Sequence, residues 1–145
     1  MAGKTNGMGE FDFAKMFSQF SQFKMPGVDA TALLEAQRKN MEAFSAAGKL
    51  ASEGFQALAQ RQSELVRQGV EQSMSAMREV MAEHSVAGQA AKQAEIAKRG
   101  YQSALTNATE LNEMVLKANQ DAFGVISKRI GEAMDEVQAL AKAAA

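Results

Sequence analysis

Three groups of side chains stand out as candidates for a chemical role. His84, the sole imidazole, adjoins Glu83 and follows Glu79, a set that can be drawn as a helix-borne metal site. Glu132 and Glu136 form an i, i+4 carboxylate pair, the spacing at which two acids share one helical face. Phe13, Met16, Phe17, Phe20 and Phe23 recur at i, i+3, i+4, i+7 and i+10, lining one face of a helix with large apolar side chains. Such a face offers no bond making; what it can do is pack on other helices or adsorb to an apolar phase.

The first two groups fail on geometry. Adjacent side chains on a helix diverge, there is no second His and the chain has no Cys. His84 therefore reads as a polar residue at a helix end, without a metal site. Glu132 and Glu136 read as like-charge neighbours on a solvated face. No Walker A, GxGxxG or GxSxG pattern occurs. The expectation is a protein that is not an enzyme and has no cofactor.

The Phe-rich stripe, with Lys15, Ser18, Gln19, Ser21 and Gln22 on its opposite face, has two readings. It folds back as a third helix over a seam of longer helices, or it inserts into an apolar phase. Half-burying five large side chains contributes ~4–7 kcal/mol, taking about 1.5–3 for full burial of each. Ordering about a dozen residues costs at least as much, at ~1–2 kcal/mol per residue. The segment alone binds marginally, so longer helices must add faces of their own.

Composition predicts those helices. One Pro in 145 residues leaves few breaks, and much of the 46% apolar share is Ala, too small to supply a globular core. Residues 1–10 are Gly-rich, polar and aperiodic, a flexible tail, and residues 11–25 form the Phe-rich amphipathic segment. Pro26 and Gly27 break the chain, and residues 26–145 read as a helical domain. Asp29 is placed to cap the next helix, with Val28 and Leu33 as a hydrophobic staple. The pattern predicts helices over about 30–84 and 89–143, with a hinge at 84–88 where Gly88 takes φ > 0. The fold class is all-α: long amphipathic helices forming an antiparallel helical hairpin or coiled-coil-like bundle, preceded by a short N-terminal amphipathic helix.

The apolar pattern has a period. Leu33, Phe44, Phe55, Val66 and Met77 are spaced by eleven, as are Ala104, Val115, Ile126 and Val137. Eleven residues in three turns favours nearly straight or slightly right-handed coiling. Around this stripe Ala, Gly, Ser, Gln and Asn fill positions where a stable coiled coil places Leu or Ile. Gly48, Gly54, Gly69, Gly100, Gly124 and Gly131 cost about 0.5–1 kcal/mol each inside helices. The pairs Glu35/Lys39, Glu95/Arg99 and Glu113/Lys117 return only ~0.2–0.5 kcal/mol apiece. Weakly cohesive helices of this kind need an apolar partner. Leu33, Phe44, Phe55, Leu58, Val66 and Met77 are the candidates for contact with an apolar surface, or for a plain coiled-coil seam. Val115, Ile126, Ile130 and Val137 are the candidates for self-association.

Charge narrows the partners. Sixteen Lys and Arg against seventeen Asp and Glu, with no basic cluster, exclude phosphate-backbone binding and electrostatic docking on anionic lipid. No window approaches 18 consecutive apolar residues and the start lacks a secretory h-region, so the expectation is an intracellular protein without a transmembrane segment.

The sequence resembles the phasins, coat proteins of bacterial polyhydroxyalkanoate granules. The resemblance lies in Phe11-Asp-Phe-Ala-Lys-Met-Phe17, Met25-Pro-Gly-Val-Asp29, Gln37-Arg-Lys-Asn-Met-Glu-Ala43, and Glu53-Gly-Phe-Gln-Ala57 with Arg61-Gln-Ser-Glu64. It covers most of residues 11–140 and is firmest from 11 to 70. It implies a cytoplasmic, non-enzymatic helical protein that adsorbs to amorphous polyester such as polyhydroxybutyrate and limits granule coalescence. It also implies a homo-oligomer, dimer to tetramer, and in some relatives assistance to a depolymerase or synthase. Only the resemblance supplies the polyester. The residues alone also admit a coiled-coil scaffold or holdase chaperone that binds exposed hydrophobic surfaces, or an apolipoprotein-like lipid binder.

Overall fold

A computed structural model describes residues 29–145. The tail, Val28 and the Phe-rich segment carrying Phe13, Met16, Phe17, Phe20 and Phe23 lie outside the described residues. Two long helices, α1 (Ala30–Met81) and α2 (Val86–Ala143), pack against each other, with no strand among the described residues. The all-α expectation holds.

Local chemistry sets the helix ends. Asp29 Oδ1 accepts from the Thr31 N–H at 2.9 Å, and the Asp29 carbonyl accepts from the Leu33 N–H at 3.1 Å, so Asp29 caps α1. At the other end the Glu83 N–H tightens onto the Val80 carbonyl at 3.2 Å. The break falls at residues 82–85, earlier than the expected hinge, because Ser85 caps α2. Its Oγ accepts from the Gly88 N–H at 2.9 Å. Gly88 thus sits in the first turn of α2, without a positive φ. A Cβ there would meet the Glu83 carboxylate and Ser85 Oγ.

The chain divides into two compact units, Ala43–Lys128 and the described residues up to Glu42 together with Arg129–Ala145. In Ala43–Lys128 the helices run antiparallel: Gly54 meets Ala118, Arg61 meets Glu110, and Glu79 meets Lys92 and Arg99. The half-buried seam is lined on α1 by Ala43, Gly54, Leu65 and Ala76, and on α2 by Ser103, Met114 and Val125, each set spaced by eleven. The period is the expected one, but the inward register lies one residue earlier than the stripe of Phe44, Phe55, Val66 and Met77. One residue is ~100° of rotation about a helix axis, so that stripe faces solvent. A two-helix pair buries only a narrow sector, and small residues in it allow the closest approach. Among the described residues the one buried apolar side chain is Ala47, 9% exposed, and no large side chain is fully buried.

Gly54 is where that approach is tightest. A Cβ on it would overlap the Ala118 Cβ, which cannot move aside, whereas Gly124 has open space around its Cβ position. Gly54→Ala should therefore destabilise the helix pair despite the better helix propensity of Ala. Gly124→Ala should stabilise it by about 0.5–1 kcal/mol. Urea titrations followed by circular dichroism check the opposite signs.

Candidate surface-binding faces

The large apolar side chains of Ala43–Lys128 gather beside the seam. On α1 they are Phe44, Phe55, Val66, Val70, Met74 and Met77, and on α2 Leu105, Val115, Leu116 and Phe123, all exposed. Phe44 (71% exposed) and Phe123 (69%) bank one open groove floored by Ala47, Ala51 and Ala122. Met77 and Met81 bank another with Ile96 and Ala97. On both helices the exposed ridge begins one residue after a seam position. In an antiparallel pair related by a local two-fold, a displacement of the same sense puts both ridges on one face. Leu58 and Ile126 differ from the other candidates in being half-buried against the seam. In the other unit Leu33, Ile130 and Val137 are exposed, and Leu33 and Val137 line a shallow groove with Ala36, Ala133 and Leu140.

Charges bridge the helices on the other side of the seam. Arg61 donates to both carboxylate oxygens of Glu110, at 2.7 and 2.8 Å, and to Glu64 at 3.1 Å. This fork holds the Glu110 carboxyl below its ordinary range. Glu79 accepts from Arg99 at 2.8 Å and lies 3.5 Å from Lys92, and the Arg99 bond foremost lowers its pKa. The expected Glu95/Arg99 pair is replaced, since Arg99 crosses to Glu79 and Glu95 pairs with Lys92 at 3.1 Å. Glu35 does pair with Lys39, at 3.5 Å. His84 sits exposed in the turn beside Glu83.

In the smaller unit the node is Arg129, only 7% exposed. Its Nε donates to Asn40 Oδ1 at 2.7 Å, and its other nitrogens donate to Glu136 at 2.9 and 3.2 Å. Lys39 also donates to Glu136, at 3.0 Å. The bonds from Arg129, then Lys39, hold the Glu136 carboxyl below its ordinary range. Glu132 lies 3.7 Å from the same guanidinium. Glu132 and Glu136 are therefore not a solvated like-charge pair, because one cation serves both. Sequence reasoning missed Arg129, Asn40, Arg61 and Glu110. Arg129 shares the eleven-residue frame of the half-buried Asn107 and Ala118, but only the structure shows that this frame turns inward, so no sequence signal marked it.

Among the described residues no group of acidic, His or Cys side chains is arranged to hold a metal ion. No described helix is long and apolar enough to cross a membrane. No curated protein and no solved structure matches the chain. A family model described as "Phasin protein" matches residues 32–130, well over half of the sequence and most of both helices. A coreless helix pair with one apolar flank and the match over that pair agree, and the chain belongs to the phasin family.

Proposed function

We propose that this protein is a non-enzymatic coat of polyhydroxyalkanoate granules in the cytoplasm, holding the polymer surface apart from its neighbours. The observation that supports it is the exposure of Phe44, Phe55 and Phe123 along one flank in a chain of this family. In water the apolar flanks are covered by other copies, with Val115, Ile126, Ile130 and Val137 among the contacts. At a granule the same population shifts toward polymer contact. Leu33, Phe44, Phe55, Val66 and Met77 contribute from α1, and Leu58, half-buried at the seam, supports the same face from beneath. Phe13, Met16, Phe17, Phe20 and Phe23 add an aromatic anchor ahead of it. The Lys/Glu faces stay hydrated and keep granules from merging. A coat in this position is also where a depolymerase or synthase would dock.

The test is co-sedimentation of the purified protein with protein-free amorphous polyhydroxybutyrate particles, beside neutral and anionic liposomes, with helicity read by circular dichroism. Strong particle binding with little liposome binding is expected. A stable helical oligomer that ignores the particles and binds denatured proteins would replace the coat reading with a holdase.

A further inference from the structure

We infer that the helix pair of Ala43–Lys128 lies on the polymer as a closed two-helix ribbon, its ridges on the polyester and its interhelical ion pairs in water; this rests on the coat reading. The first argument is charge segregation. On α1 the three eleven-residue frames that begin at Phe44, Gly48 and Ser52 contain no Asp, Glu, Lys or Arg up to Met81. On α2 the frames that begin at Ala90, Ala94, Ala97 and Ala104 contain none up to Ser127. These frames carry both ridges, so the face is uncharged across the full width of the pair. The groove on the other side is lined instead by Gln72, Ser75, Glu79 and Arg99.

The second argument is what opening would accomplish. Parting the helices would break the Arg61–Glu110 fork and the Glu79 contacts to Arg99 and Lys92. It would turn toward polyester a seam in which Leu65, Met114 and Val125 are interrupted by Ala43, Gly54, Ala76, Ser103 and Ala118, and would give up the contacts those three already make with the facing helix. It would also desolvate charges beside that seam. The aromatic side chains of Phe44, Phe55 and Phe123 are already outside. An apolar, charge-free and two-helix-wide face fits an extended polymer surface without rearrangement.

The absence of native Cys makes the test direct. In the full chain, Arg61→Cys with Glu110→Cys places two thiols on the water side of the seam, to be bridged by a short bis-maleimide. The bridged protein should bind amorphous polyhydroxybutyrate particles within about twofold of the unbridged variant and of the wild type. Bridging added after adsorption should form the same intramolecular link as in solution. Bridging that weakens binding ~tenfold or more, or a link that no longer forms on particles, would overturn the closed ribbon and leave the coat reading intact. A wild-type chain that does not bind would overturn the coat reading itself. Glu79→Cys with Arg99→Cys repeats the test at a second site, in case loss of the Arg61 fork lowers helicity.

Discussion

Replacing Phe44, Phe55 and Phe123 together with Ser should lower partitioning onto amorphous polyhydroxybutyrate particles by ~30- to 1000-fold. Full burial of a Phe side chain is worth about 1.5–3 kcal/mol, so half-embedding three contributes ~2–4 kcal/mol, and each ~1.4 kcal/mol is tenfold in affinity. All three side chains are largely exposed, Phe55 the most at 76%. Helicity in solution should therefore survive the change. The contrast is Leu58→Ser in the seam, where the loss should appear in thermal stability. Glu113→Gln, on an exposed polar face, should alter neither. Sedimentation isotherms read the partitioning and circular dichroism reads the helicity. A triple variant that binds like the wild type would remove the ridge from the polymer contact.

That contrast turns on a point the sequence carried only in part. Asp29 as a cap, the near absence of Pro and the eleven-residue period were sufficient for two long antiparallel helices. A period states how often a face recurs, not which face turns inward. Taking the large residues of the repeat as the seam assumes enough partner surface to bury them, as in a bundle. With a single partner helix the inward frame went to Ala43, Gly54, Leu65 and Ala76, and Phe44, Phe55, Val66 and Met77 were left one position outside. Seam charges were illegible for a related reason. Local pairing rules see neighbours three or four residues away, while Arg61 and Glu110 are 49 residues apart and Arg129 and Asn40 are 89 apart. The same rules assigned Arg99 to Glu95, although Glu79 on the facing helix competes for it.

Among those long-range contacts Arg129 should be the most consequential for stability. Arg129→Met should lower the urea midpoint of the helix pair by more than Arg99→Met does. Arg99 serves one carboxylate from a half-exposed position. Arg129 is almost enclosed and ties Asn40 on α1 to Glu136 on its own helix, while Lys39 reaches Glu136 from the facing side. Removing the guanidinium leaves Asn40 and Glu136 short of partners at a helix–helix contact, where an unmet polar group is costly. Arg129→Lys should not restore the midpoint, because an ammonium cannot span Asn40 and both oxygens of Glu136 in one plane. Acid supplies the second signature. Arg129, with Lys39, lowers the Glu136 pKa from its usual 4.5. The stability this adds is fully present above the unfolded value and is lost as pH falls through the folded one. Part of the wild type's loss of stability as pH falls below the usual carboxylate value of 4.5 should therefore vanish in Arg129→Met, with Glu79 and Glu110 still contributing to that loss. Equal midpoints for Arg129→Met and Arg99→Met, or an unchanged acid limb, would reduce Arg129 to one ion pair among many.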